Sequence, residues 1–108
     1  MDTRQRLRVP LRCPVRFSSL HNPQLSGEGM ALDFSLSGWM VESRQPVQLD
    51  TDLRLQIELS DESEPLEIPL ANVEWASGRR FGIRTIEMTD KAWQSLYRLW
   101  LERKTALV

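Results

Sequence analysis

Two short stretches carry side chains able to recognise a ligand. Residues 4 to 8 read Arg4-Gln5-Arg6-Leu7-Arg8, and residues 33 to 38 read Asp33-Phe34-Ser35-Leu36-Ser37-Gly38. Arg4 and Arg8 are four apart. In an extended chain they lie on one side, about 13 Å apart at ~3.3 Å per residue. In a helical turn they are near neighbours. Either way two guanidinium groups face one ligand, each a rigid fork of donors suited to anions and planar acceptors. In the second stretch Asp33 can accept from N–H groups and Ser35 can donate or accept. Gly38 allows a close backbone approach or a positive φ. Read alone, these six residues are first of all an ordinary turn, capped by Asp33 and Ser35 with Gly38 at a positive φ.

Catalytic chemistry lacks its reagents. His21 is the only histidine and stands in a loop beside Asn22-Pro23, and Cys13 is the only cysteine. A histidine-based triad or a Cys/His zinc site therefore has too few members. The five glycines are scattered, so no phosphate-cradling loop is formed. The chain is expected to bind rather than catalyse, with no metal and no cofactor.

Charge is unevenly placed. The formal net charge of -1 excludes a uniformly basic nucleic-acid binder. Residues 1 to 16 nevertheless hold Arg4, Arg6, Arg8, Arg12 and Arg16 against Asp2 alone. Residues 42 to 67 hold eight acids against Arg44 and Arg54. A basic arm on a neutral body captures an anion locally. A single cysteine fits a reducing compartment, and no run approaches the ~20 apolar residues that span a bilayer. A cytoplasmic protein is expected.

These residues need a frame. A chain of 108 residues, 41% hydrophobic, suits one folded domain. Val9, Leu11, Cys13, Val15 and Phe17 alternate with polar residues and prolines, which predicts a half-buried strand. Pro10 and Pro14 make it irregular or place it at an edge. Further strands are expected near 28–34, 38–44, 53–59, 66–75 and 81–85. Val73 and Trp75 fall out of phase with Leu66, Ile68 and Leu70, the mark of a bulge. From about 90 to 103 the period becomes helical, with Thr89 or Asp90 as the N-cap. Trp93, Tyr97 and Trp100 share a face expected to pack on the barrel or on a partner. The class is mainly β: about six antiparallel strands closing a barrel or sandwich, followed by one helix.

Together the two stretches resemble the PilZ domain family, whose signature is RxxxR before the first strand and D/NxSxxG after the second. "NVEW" and "RRFGIR" resemble its late strands, and the likeness runs over roughly residues 3 to 100. The resemblance implies a six-stranded antiparallel barrel, residues 9–108, carrying a flexible arm, residues 1–8. It implies a receptor for the bacterial second messenger cyclic di-GMP that signals to an unidentified protein partner. The site residues carried over are Arg4, Arg8, Asp33, Ser35 and Gly38. An arginine fork fits O6 and N7 of guanine, and Asp33 fits its N–H edge. A second RxxxR match, Arg8 to Arg12, overlaps the first, and Arg4/Arg8 is preferred because Arg8 directly precedes Val9. Trp75 is either a stacking surface for the ligand or a core residue. A monomer or weak homodimer is expected. The alternatives are a small barrel binding single-stranded nucleic acid, with Trp39 or Trp75 stacking on bases, and a PilZ-type protein-interaction module.

Overall fold

A computed structural model describes residues 7–106. Strands β1 (Val9–Ser19), β2 (Ser26–Ser35), β3 (Gly38–Ser43), β4 (Asp52–Ile57), β5 (Leu66–Ser77) and β6 (Arg80–Glu87) precede one helix, α1 (Asp90–Ala106). All pairings are antiparallel, and the strands close in the order β1-β2-β3-β6-β5-β4. Closure follows from the two-residue alternation. Val9, Leu11, Cys13, Val15 and Phe17 on β1 face Leu53, Leu55 and Ile57 on β4 and Phe34, Val41 and Ile83 within one apolar interior.

The prolines of β1 shape its pairing. Pro10 and Pro14 lie on the exposed face, and the register on β2 shifts between Pro10 and Cys13. β1 meets β4 only from Val15 onward. Its first half therefore has one strand neighbour, where a missing proline N–H breaks no ladder.

β5 slips twice, between Leu70 and Ala71 and again between Val73 and Trp75, where one slip was expected. The second slip corrects the reading of Trp75 as a core residue. Alternation from Val73 would aim Trp75 inward, but the bulge turns it out, and it is 38% exposed.

Helix α1 starts at Thr89, not Asp90, as its N-cap. Thr89 Oγ1 accepts from the Ala92 N–H at 3.1 Å. The helix runs to Ala106, three residues beyond the expected end, and Arg103 and Lys104 in its last turn suit the macrodipole. The residues facing the barrel are Ala92, Ser95, Leu96 and Trp100. Of the expected aromatic face only Trp100 is buried, while Trp93 and Tyr97 remain exposed. Small Ala92 and Ser95 let the helix backbone sit close to the barrel. Trp93 lies one residue, ~100°, around the helix from Ala92 and is carried off that contact.

Candidate ligand-binding site

The stretch Asp33 to Gly38 is the hairpin joining β2 to β3. Ser35 pairs with Gly38, and Leu36 and Ser37 form the turn. Phe34 and Trp39 stand opposite each other, both fully buried, with rings stacked 4.8 Å apart. This stack anchors both ends of the turn in the core. Ser35 is buried, and its Oγ accepts from the Ser37 N–H at 3.2 Å and meets Ser37 Oγ at 3.0 Å. Its hydroxyl is thus engaged in shaping the turn. The Ser37 carbonyl accepts from the Thr85 N–H of β6.

Gly38 has no positive φ; among the described residues Gly78 is the glycine that does. Its requirement is space. A Cβ there would collide with the carbonyl oxygen of Ile83, because β3 passes close against β6. Of the two roles open to Gly38 in the sequence, close approach is the one found.

Asp33 lies at the end of β2, just after a register shift between Ala31 and Asp33. It pairs with Pro10 on β1. That register brings Arg8, the residue before β1, alongside it. Arg8 Nη1 donates to Asp33 Oδ1 at 2.8 Å, with the two side chains 44% and 21% exposed. Residues 25 apart in sequence are thereby joined by a charge-assisted hydrogen bond. Arg4 lies outside the described residues, as does most of the arm.

Arg12 sits elsewhere. It is exposed on the outer face of β1 and lines a groove of about 670 Å³ with Leu59, Leu99 and Arg103, to which neither Arg8 nor Asp33 contributes. Trp75 lies against Gly82 of β6, where any side chain on Gly82 would strike the indole. Trp39 is sealed in the core.

One contact escaped the sequence. The Trp100 indole N–H of α1 donates to the Leu7 carbonyl at 2.9 Å. The helix thus holds the chain one residue before Arg8. The signal available was a tryptophan at the helix's buried edge, whose N–H needs a partner when covered.

His21 belongs to another network. Its Nε2 is 3.2 Å from Asp52 Oδ2, and Asn72 Nδ2 donates to Asp52 Oδ1 at 2.9 Å. The Asn72 bond, then His21, hold the Asp52 carboxyl below the ordinary carboxylate range. Among the described residues no group of His, Cys, Asp or Glu has the arrangement of a metal site. No helix there is long and apolar enough to cross a membrane.

The profile of the PilZ domain family matches residues 2–102, and the chain belongs to that family. Solved structures share the architecture. The PilZ domain of CeSA from a cellulose-synthesizing bacterium is 22% identical with a TM-score of 0.70, the match covering 89% of this chain and 96% of that one. The Bacillus subtilis inhibitor of motility, MotI/DgrA, is 19% identical with a TM-score of 0.72, over 93% of this chain and 50% of that one. The PilZ domain with c-di-GMP of YcgR from Escherichia coli is 11% identical with a TM-score of 0.68, over 94% and 91%. At these identities the likeness is one of fold. No curated protein matches the chain.

Proposed function

We propose that this PilZ domain is a receptor for cyclic di-GMP in the bacterial cytoplasm, passing a change of shape to a protein partner. Membership of the family supports this reading. The observation that carries it is the Arg8–Asp33 contact, which brings the two motif halves together at 2.8 Å.

The contact has the chemistry of the ligand folded in on itself. Arg8 presents the donors that O6 and N7 of guanine would accept, and Asp33 presents the acceptors that its N–H edge would meet. A guanine entering here replaces each partner with a matching edge. The ion pair is partly exposed and contributes only about 0–1 kcal/mol, so exchanging it for ligand contacts costs little. Arg4 supplies the second guanidinium, for a phosphate or a purine face. Ser35 and Gly38 set the turn on which Asp33 stands, and Trp75, turned outward by the bulge, offers a ring near the β6 edge of the hairpin. The arginine-bearing arm closes over the ligand, and the free energy spent on arranging it leaves modest affinity. Leu7, tied to Trp100, gives that movement a route to α1 and so to a partner.

The nucleic-acid alternative loses one of its two stacking residues, since Trp39 is buried against Phe34. Titration with cyclic di-GMP, cyclic di-AMP and a single-stranded oligonucleotide tests the proposal. Cyclic di-GMP alone should bind, because adenine sets an amino donor where guanine has O6, facing a guanidinium. Equal affinity for the two dinucleotides would count against the assigned contacts. Oligonucleotide binding with a steep salt slope would favour the alternative.

A further inference from the structure

Helix α1 leaves a patterned stripe uncovered. Trp93 and Tyr97 are each 42% exposed and Leu101 36%, and the Trp93 and Tyr97 rings are 5.8 Å apart. With the charged residues at either end, the stripe reads Asp90, Trp93, Tyr97, Leu101, Lys104. Steps of three and four residues keep all five along one side of the helix. This side is distinct from the one that packs on the barrel, formed by Ala92, Ser95, Leu96 and Trp100. Lys104 Nζ stands 4.8 Å from the Trp100 ring centroid, which holds the ammonium at the margin of the stripe.

The stripe is symmetric in position about Tyr97 and opposite in charge at its two ends. An antiparallel copy, turned about a two-fold axis through Tyr97, sets Tyr97 on Tyr97 and Trp93 on Leu101. The same operation sets Asp90 of each copy against Lys104 of the other. Every contact occurs twice, as an isologous interface requires. We propose that α1 is a self-association surface, pairing two copies of this chain antiparallel through Trp93, Tyr97 and Leu101.

The patch is small. Two aromatic side chains of ~150–250 Å² each, about two fifths exposed, and one leucine supply far less than the ~800 Å² per partner of a standard interface. The dimer is therefore weak and concentration-dependent. The stripe contains neither Arg8 nor Asp33, so the dimer does not require nucleotide to form.

Sedimentation velocity on the whole chain over a wide concentration range tests this. The average mass should rise toward that of two chains as concentration increases. Tyr97→Arg, which sets two guanidinium groups against each other on the axis, should stay monomeric throughout. Asp90→Lys should weaken the dimer, and adding Lys104→Asp should restore it, because the swapped pair is again complementary. Mild oxidation should cross-link Tyr97→Cys far faster than Glu102→Cys, which lies on another side of the helix. Circular dichroism melting confirms that each variant is folded. A wild-type chain monomeric at every concentration overturns the proposal, as does a Tyr97→Arg variant that dimerises like wild type. A double swap that fails to restore the dimer, or equal cross-linking at both cysteine positions, overturns the antiparallel arrangement.

Discussion

Arg8 and Asp33 satisfy one another across 25 residues of sequence, and in the proposed reading guanine replaces both partners. This makes the arginines separable by mutation. Arg8→Ala and Arg4→Ala are each expected to weaken cyclic di-GMP binding by the loss of a bidentate contact, about 1–3 kcal/mol. That is roughly 5- to 150-fold in affinity. Arg12→Ala should be near neutral, since Arg12 lines a groove with Leu59 and Leu99 to which Asp33 does not contribute. Binding abolished by Arg12→Ala and untouched by Arg4→Ala would move the motif four residues along the chain. Melting of Arg8→Ala should change little, as an exposed ion pair contributes about 0–1 kcal/mol. Gly38→Ala is the contrasting case. Its methyl group would press on the Ile83 carbonyl, so β3 must shift from β6, and a loss of about 1–3 kcal/mol is expected from denaturant unfolding.

Trp100 ties the helix to the chain just before β1. Trp100→Phe keeps an aromatic ring in the core but removes the donor to the Leu7 carbonyl. Amide exchange at residues 7 and 8 should quicken while the barrel strands keep their protection, with about 1 kcal/mol of stability lost. Unchanged exchange there would mean that the indole bond does not hold the chain. Six strands and one helix are readable in the sequence because their alternation is long and regular, as in Val9 to Phe17 and Leu53 to Ile57. The outward turn of Trp75 is not readable, because two register shifts reset the phase within a few residues and only the pairing with β6 reveals where. The aromatic helix face misled for a similar reason. Ala92, Ser95, Leu96 and Trp100 share the helical period with Trp93 and Tyr97, and periodicity does not say which of two adjacent stripes meets the barrel. At the site, the motif resemblance assigns Arg8 and Asp33 to one ligand, but their direct contact depends on the β1–β2 register and is not readable in the sequence. The role of Gly38 depends likewise on how closely β3 and β6 approach.

The closed barrel gives the whole molecule an enclosed interior, and Cys13 reports on its integrity. Burial pushes the thiol up to about 11 from 9.0. A group raised in this way favours its neutral form when folded. Its contribution to stability is complete below 9.0 and is lost as pH climbs through about 11. Iodoacetamide should therefore label the native chain slowly at mildly alkaline pH and rapidly only once denaturant opens the barrel. Fast labelling of the native state would mean that the interior near β1 opens readily. In the proposed reading, the arginine-rich arm, the hairpin bearing Asp33 and the helix tied to Leu7 together serve the binding of a guanine-containing dianion. The direct test is calorimetric titration of the wild-type chain and of Arg8→Ala with cyclic di-GMP, using GTP as the control ligand. The account predicts saturable binding of cyclic di-GMP to the wild type, binding weakened at least several-fold in a folded Arg8→Ala, and no comparable binding of GTP. A wild-type chain that takes up no cyclic di-GMP, or an Arg8→Ala variant that binds it as tightly, would contradict the account.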